Sequence, residues 1–136
     1  MITQQFINEL SYKVIGCAIE VHKYLGPGLL ESVYHSCLLE ELRVRSIPVQ
    51  SQLNVPVIYK GKDLGGLLRL DFLIDNLIIV EIKAVDVMIP IYHAQLLSYL
   101  KLADKPKGLL INFHSENLSK HIISLVTEDY AKLPSG

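Results

Sequence analysis

The sequence contains no tryptophan, only two cysteines and no apolar run that approaches the ~18 residues of a membrane-spanning helix. Its amino-terminal residues also lack a basic segment followed by an apolar one, which is the pattern of a secretory signal. Cys17 and Cys37 lie in helix-like apolar stretches, where a reduced thiol usually behaves as a small buried hydrophobe. We therefore expect a cytoplasmic protein with no membrane segment and no disulfide scaffold.

An excess of charge of one sign is also missing. Thirteen Lys and Arg residues against fourteen Asp and Glu residues give a net charge of −1, which argues against coating of nucleic acid by a broad basic face. Half of the residues are hydrophobic and 20% are charged, so the chain can bury a core and is not of the disordered class. The length fits a single domain over residues 1–136, in which a polyanion would need a local site.

Three helices are predicted from apolar residues that recur every three to four positions. The first runs from Thr3 to about Tyr24 and the second from Leu29 to about Arg45, with Gly26-Pro27-Gly28 between them. The third runs from Pro90 to about Ala103, because proline fits the first turn of a helix. The first two helices are expected to form a hairpin-like pair.

Strands are indicated by alternation of apolar and polar residues and by runs of β-forming residues. The first, Val49–Val57, contains Pro56, which suggests an edge position or a bulge. A turn at Lys60–Asp63 precedes a second strand at Gly66–Ile74. The third, Leu77–Ala84, is nearly continuous in β-formers and should therefore be central.

Two further elements follow the third helix. Leu109–Phe113 is a short apolar run that predicts a buried strand, whereas the segment from Leu118 to about Val126 fits either a strand or a helix. If this last segment is a strand, the order of the elements is α-α-β-β-β-α-β-β. This order predicts an α/β (α+β) fold in which helices flank a mixed β-sheet, since a helix connects two of the strands.

One set of charged residues has the chemistry of a metal site. Glu81 and Lys83 are two apart on a predicted strand and so share a face, and the turn at Asp75-Asn76 should bring Asp71 opposite Glu81. Two carboxylates with room for water and phosphate oxygens suit Mg²⁺, which keeps much of its hydration shell. The same three residues could instead form a salt bridge on the face of the sheet.

Several motifs occur in an order that resembles a known family. Gly28-Leu-Leu-Glu31-Ser-Val-Tyr34 matches the signature of the GxxExxY proteins, which are placed in the PD-(D/E)xK, restriction-endonuclease-like superfamily. The agreement runs from about Ile15 to Val126 and includes Ala18 to His22, Arg69 to Asp71, Glu81 to Lys83, Ala94 to Leu100 and Leu109 to Phe113. A departure is Leu70, where the superfamily has proline before the aspartate.

The resemblance implies a restriction-endonuclease-like fold in which Asp71, Glu81 and Lys83 form the catalytic cluster. Glu31 would add a further metal-binding or water-binding carboxylate from the helical pair. Gln95 looks like the first residue, and Tyr99 like the last, of the Gln-x-x-x-Tyr element found in exonuclease-like branches of the superfamily. They would support the metal ligands or hold a phosphate.

Glu31 and Tyr34 also have purely structural interpretations. With Gly28 as the N-cap, Glu31 falls at the third helical position, where a carboxylate satisfies free N–H groups and complements the helix dipole. Tyr34 lies three residues further on the same face and could contact substrate or pack in the core.

The remaining binding candidates have alternatives of the same kind. Gln95 and Tyr99 are one helical turn apart and could simply pack between helix and sheet. Arg69, two residues before Asp71, is expected on the same face, where it could contact a phosphate or form a cross-strand ion pair.

The function favoured by these residues is a metal-dependent nuclease that uses Mg²⁺ or Mn²⁺ to cut DNA or RNA with a metal-activated water. Asp71, Glu81 and Glu31 would hold the metal, and Lys83 would orient the water or stabilise developing charge. The alternatives are a catalytically silent nucleic-acid-binding or scaffold module with a nuclease-like fold, and a small-molecule phosphoesterase. A homo-oligomer or a protein partner could supply additional binding surface.

Overall fold

The computed structural model describes all residues, 1–136, and contains four α-helices, seven strands and one 3₁₀ turn. In chain order they are α1 (Gln4–Leu25), α2 (Glu31–Val44), β1 (Val49–Val55), β2 (Ile58–Tyr59), β3 (Lys62–Asp63), β4 (Leu68–Ile74), β5 (Ile78–Lys83), α3 (Pro90–Leu102), β6 (Lys107–Asn112), the 3₁₀ turn (Leu118–His121), β7 (Ile122–Val126) and α4 (Glu128–Ala131).

The main elements follow the predicted order, and the segment left open between strand and helix becomes the 3₁₀ turn followed by β7. The small β2–β3 hairpin adds two short strands around the predicted turn. A one-turn helix, α4, follows the last strand.

Five strands form a mixed sheet in the order β1-β4-β5-β6-β7. Only the β5–β6 pair is parallel, because α3 carries the chain from the end of one strand back to the start of the other. Strand β1 lies at one edge, as Pro56 suggested, and β5 lies at the centre with its residues almost entirely buried. The predicted class of a mixed sheet flanked by helices is confirmed.

The helices cover the two faces of the sheet. Helices α1 and α2 bury the larger apolar cluster, to which the sheet contributes residues such as Phe72, Val80 and Ile111. Helix α3 covers the opposite face through Leu96 and Leu100. Burial of this apolar area is the main stabilising contribution, at roughly 25 cal/mol per Å² removed from water.

The turns between elements have clear local causes. Thr3 caps α1 by accepting a hydrogen bond from the Phe6 amide at 3.0 Å, and Gly26 ends the helix at φ 71°. Between β4 and β5, Asp75 and Asn76 both adopt left-handed backbone conformations. That combination is typical of the two-residue turn that matches the twist of a β-hairpin.

The β1–β4 ladder is interrupted at Asp71. Ser51 pairs with Phe72 and Leu53 pairs with Leu70, but the intervening Gln52 adopts a φ of 53° and leaves the regular pairing. On a regular strand residues two apart share a face, yet Phe72 packs under α1 and α2 whereas Leu70 packs under α3. The strand therefore switches faces at Asp71.

None of the helices combines the length and the apolar character needed to cross a bilayer. Cys17 and Cys37 are both free thiols, and Cys17 is buried in the core.

Candidate active site

Asp71 and Glu81 lie opposite each other where β4 and β5 separate. The last regular pair is Phe72 with Val80. Beyond it the two carboxylates take the places of backbone carbonyls: Glu81 Oε2 accepts a hydrogen bond from the Asp71 amide at 2.7 Å, and Asp71 Oδ2 accepts one from the Ile82 amide at 2.9 Å. These reciprocal bonds fix both carboxylates between the strands.

The close approach of two acids changes the protonation of Glu81. Burial, followed by the neighbouring Asp71 charge, raises the pKa of Glu81 to about 8, while a backbone hydrogen bond and the Lys83 charge oppose the shift. Only 7% of Glu81 is exposed. At neutral pH Glu81 is therefore mostly protonated in the absence of a cation, because burial disfavours its charged form and the adjacent Asp71 carboxylate adds repulsion.

Lys83 lies at the end of β5, two residues beyond Glu81. Its Nζ is 4.7 Å from the centre of the Tyr92 ring of α3, a cation–π distance. The ion pairs of the protein are Arg45–Glu41 and His114–Asp86, so Lys83 is not part of a salt bridge. The alternative of a simple salt bridge on the sheet face is therefore not what the structure shows.

Glu31 is the first residue of α2, and its carboxylate is not the capping group that the sequence suggested. The N-cap is Leu30 rather than Gly28, and no side chain caps the helix, so the predicted third helical position for Glu31 is wrong. Partial burial, followed by the Asp71 charge, raises the pKa of Glu31, and Lys83 opposes the shift. Glu31 thus acts electrostatically on the Asp71–Glu81 pair.

The predicted set of three carboxylate metal ligands is not assembled. No three or more His, Cys, Asp or Glu side chains converge closely enough to hold an ion. Glu31 comes from the start of α2, whereas Asp71 and Glu81 are held between adjacent strands by their hydrogen bonds.

Gln95 and Tyr99 lie on α3, which covers the same face of the sheet that Glu81 and Lys83 point to. Burial raises the pKa of Tyr99, and the charges of Glu81 and Asp71 raise it further, whereas the Gln95 amide opposes the shift. Tyr99 is partly buried and Gln95 is exposed. The two residues therefore border the carboxylate pair on the α3 side.

Tyr34 does not reach a substrate surface. Its side chain is fully buried, its ring stacks on Phe113 at 4.7 Å between centroids, and its hydroxyl donates to the Gly26 carbonyl and accepts from the Leu29 amide. The substrate-contact prediction for Tyr34 is thus wrong, because this side chain fixes the connection between α1 and α2.

Arg69 was expected on the face of Asp71 from regular strand alternation, which does not hold at this point of β4. The switch in β4 at Asp71 means that residues 69 and 71 are not related by regular alternation. Arg69 is exposed, and its Nε donates to Gln52 Oε1 at 2.6 Å. It forms no ion pair, so its guanidinium is oriented by Gln52 and its charge stays available.

Sequence reasoning missed His35, which borders the pair on the α2 side. Its ring stacks on Phe72 at 4.2 Å, and its Nε2 lies 2.7 Å from Ser51 Oγ. Burial lowers the pKa of His35, against an opposing effect of the Asp71 charge. The sequence signal that could have identified His35 is its position one helical turn after Glu31, on the same face of α2.

Asn112 was also missed, although it lies in the Leu109 to Phe113 motif. Its buried amide donates to the Val85 carbonyl at 2.9 Å and accepts from the Val85 and His114 amides at 3.1 Å each. It therefore holds the segment that follows Lys83.

The donor chemistry of the pair fits a divalent cation. The hydrogen bonds use Asp71 Oδ2 and Glu81 Oε2, which leaves Asp71 Oδ1 and Glu81 Oε1 without a partner. No buried side-chain oxygen lacks a hydrogen bond, so these two oxygens reach solvent. Mg²⁺ typically uses one or two carboxylates together with water and substrate oxygens, so two free carboxylate oxygens suffice.

Comparison with known proteins bears on this arrangement. No curated protein matches the chain. The crystal structure of SSO0001 matches at 25% sequence identity with a TM-score of 0.46, over 69% of this chain and 48% of that one, so the present chain spans about half the length of that protein. A family model described as the PD-(D/E)XK nuclease superfamily matches residues 8–125. The chain belongs to the PD-(D/E)XK nuclease superfamily.

Proposed function

We propose that this protein is a metal-dependent nuclease that hydrolyses phosphodiester bonds of DNA or RNA at the Asp71–Glu81 pair. The observation that carries the proposal is the reciprocal hydrogen bonding of the two carboxylates, which leaves one oxygen of each free and facing solvent. Membership of a nuclease superfamily supports the same activity.

Asp71 and Glu81 would hold Mg²⁺ or Mn²⁺, which when bound neutralises a phosphodiester and lowers the pKa of a water. Burial and, after it, the neighbouring Asp71 charge raise the pKa of Glu81 to about 8, and a bound cation would offset both by neutralising the two carboxylates. Glu31 adds negative charge nearby and so increases the attraction for a cation. In this proposal Glu31 acts through its charge and is not a third metal ligand.

Lys83 would stabilise the negative charge that accumulates on the phosphate oxygens. Its ammonium is free of salt bridges and is oriented by the face of Tyr92. An ammonium group that is already in position and is not neutralised by a carboxylate needs little reorganisation during the reaction. Tyr99 and Gln95 would orient the substrate phosphate from α3, and Arg69 would contact a neighbouring phosphate.

The test is cleavage of single- and double-stranded DNA and RNA by the purified protein with Mg²⁺ or Mn²⁺. We expect Asp71→Asn to abolish cutting, because it removes a ligand charge, and Lys83→Met to slow cutting by about 100-fold or more. Matched controls are Asp129→Asn and Lys101→Met, two exposed positions on other parts of the surface. Both controls should cut at the wild-type rate.

Cleavage that survives Asp71→Asn would contradict the assigned site. If no polynucleotide is cut but Mn²⁺ binds calorimetrically and binding is lost in Asp71→Asn, the nuclease proposal fails in favour of a small-molecule phosphoesterase or a silent binding module. Hydrolysis of a small phosphodiester in the same buffer separates those two.

A further inference from the structure

The β2–β3 hairpin, residues 56–67, projects from the sheet and has no core of its own. Every residue from 58 to 67 is exposed. Four of them are large apolar residues, Ile58, Tyr59, Leu64 and Leu67, with exposed fractions between 42% and 66%. The hairpin is closed by backbone bonds between Val57 and residues 64 and 65. The segment therefore contributes little burial to the fold.

The hairpin leaves the sheet close to the carboxylate pair. The β1–β4 ladder ends at Val55 and Leu68, and Leu68 is three residues from Asp71, about 10 Å along an extended strand. Because β4 and β5 are antiparallel and Asp71 lies opposite Glu81, this end of β4 is also the end at which Lys83 lies. The hairpin therefore extends from the edge of the sheet where the candidate active site opens.

Two of the three charged residues of the hairpin, Lys60 and Lys62, are positive. Lys60 and Lys62 form no ion pair, and the nearby acid, Asp63, instead accepts the Gly65 amide at 2.8 Å. The Lys60 Nζ lies 5.4 Å from the centre of the Tyr59 ring. At the base of the hairpin, Arg69 adds a third cation that is free of salt bridges. In a protein of net charge −1, this is a local concentration of positive charge.

We propose that the β2–β3 hairpin is a polynucleotide-binding arm that contacts the phosphate backbone beside the scissile bond. Lys60 and Lys62 bind phosphates, and Tyr59 offers an aromatic face to a base or sugar. The inference rests on the proposed function, because the position of the hairpin next to the carboxylate pair identifies its polyanionic ligand.

The length of the hairpin determines how long a substrate must be to contact both the hairpin cations and the carboxylate pair. Its tip, at Lys60 and Gly61, lies seven to eight residues before Leu68, so its cations contact phosphates within roughly 35 Å of the carboxylate pair. At about 3.4 Å per nucleotide of a duplex strand, that distance corresponds to several nucleotides. The substrate class is therefore a polynucleotide rather than a dinucleotide or a small phosphodiester.

The experiment measures binding of a fluorescent 30-nucleotide DNA, single- or double-stranded, by anisotropy in EDTA over a range of salt concentrations. We expect Lys60→Gln/Lys62→Gln to weaken binding about tenfold or more and to reduce the slope of log K against log salt by about two, since each lost phosphate contact removes about one. Tyr59→Ser should weaken single-strand binding by about fivefold or more. The control pair, Lys101→Gln/Lys132→Gln, should change neither quantity.

Unchanged affinity and salt slope in the Lys60/Lys62 double variant would overturn the inference. So would a change of oligomeric state in Tyr59→Ser with DNA binding intact, because the hairpin would then be a protein interface. Circular dichroism and unfolding midpoints confirm that each variant is folded. Because binding is measured without a metal, a protein that binds through the hairpin but never cuts would refute the nuclease proposal and leave this inference standing.

Discussion

At the scale of single residues, the protonation of Glu81 is the property with the clearest measurable consequence. Its pKa of about 8 in the folded protein compares with about 4.5 for an ordinary glutamate, so the native state binds this proton more tightly than the unfolded state. The stabilisation is complete below about pH 4.5 and is lost as the pH rises through 8.

We therefore expect wild-type protein in EDTA to lose stability between pH 5 and pH 9, and Glu81→Gln, which mimics the protonated form, to lose roughly 2–5 kcal/mol less. Urea unfolding at both pH values measures the difference. Glu128→Gln, at an exposed position, serves as the control and should follow the wild type. Parallel pH profiles for wild type and Glu81→Gln would contradict the raised pKa.

The pairing of Asp71 with Glu81 was predictable at this scale, because strand alternation and a short turn place them opposite each other. Their reciprocal hydrogen bonds were not, since they occur where the β1–β4 ladder is interrupted at Gln52 and Asp71. A glutamine with positive φ is uncommon and carries no sequence signal. For the same reason the side of β4 on which Arg69 lies could not be predicted from alternation.

At the scale of elements, Tyr34 joins the first two helices. Its hydroxyl satisfies a carbonyl and an amide in the Gly26–Leu29 connection, while its ring packs on Phe113 beyond the sheet. The start of α2, and with it the position of Glu31, depends on this connection.

Tyr34→Phe keeps the ring but removes both hydrogen bonds, which deprives the part-buried Gly26 carbonyl and Leu29 amide of this partner. We expect a loss of about 1–3 kcal/mol in the free energy of unfolding. Tyr12→Phe is the matched control, because 79% of Tyr12 is exposed and its loss should be near zero. Equal effects of the two substitutions in chemical denaturation would show that the buried hydroxyl contributes nothing.

The order and type of the elements were predictable because helical and strand periodicity are strong along most of the chain. The β2–β3 hairpin was predicted only as a turn, since its strands are two residues long and have no buried face. The start of α2 was misplaced because glycine at position 28 is a plausible N-cap, whereas the structure starts the helix after Leu30. Tertiary packing of Tyr34 decides between these starts.

At the scale of the whole molecule, a divalent cation should couple the site to global stability. The proposed ligand pair exists only when β4 and β5 are paired, so a cation held by it would bind the native state and not the unfolded chain. Above pH 8 the cation no longer competes with the Glu81 proton.

Mn²⁺ at 100 times its dissociation constant at pH 8.5 should therefore add about 2.7 kcal/mol to the free energy of unfolding at that pH, and the same Mn²⁺ concentration should add clearly less at pH 6. Thermal or urea unfolding with and without Mn²⁺ measures the gain. Asp71→Asn should lose it, whereas Asp129→Asn should retain it. Equal stabilisation of wild type and Asp71→Asn would place the cation elsewhere.

The hairpin that joins β4 to β5 also determines when the site forms during folding. Asp71 and Glu81 are separated by ten positions and connected by the two-residue turn at Asp75 and Asn76. Closing so short a loop takes about 10–100 ns and a hairpin forms in about 1–10 μs, and its entropic cost is small. The parallel pairing of β5 with β6 requires the whole α3 crossover and must come later. The carboxylate pair is thus encoded in the fastest-forming part of the sheet, and the slower steps enclose it.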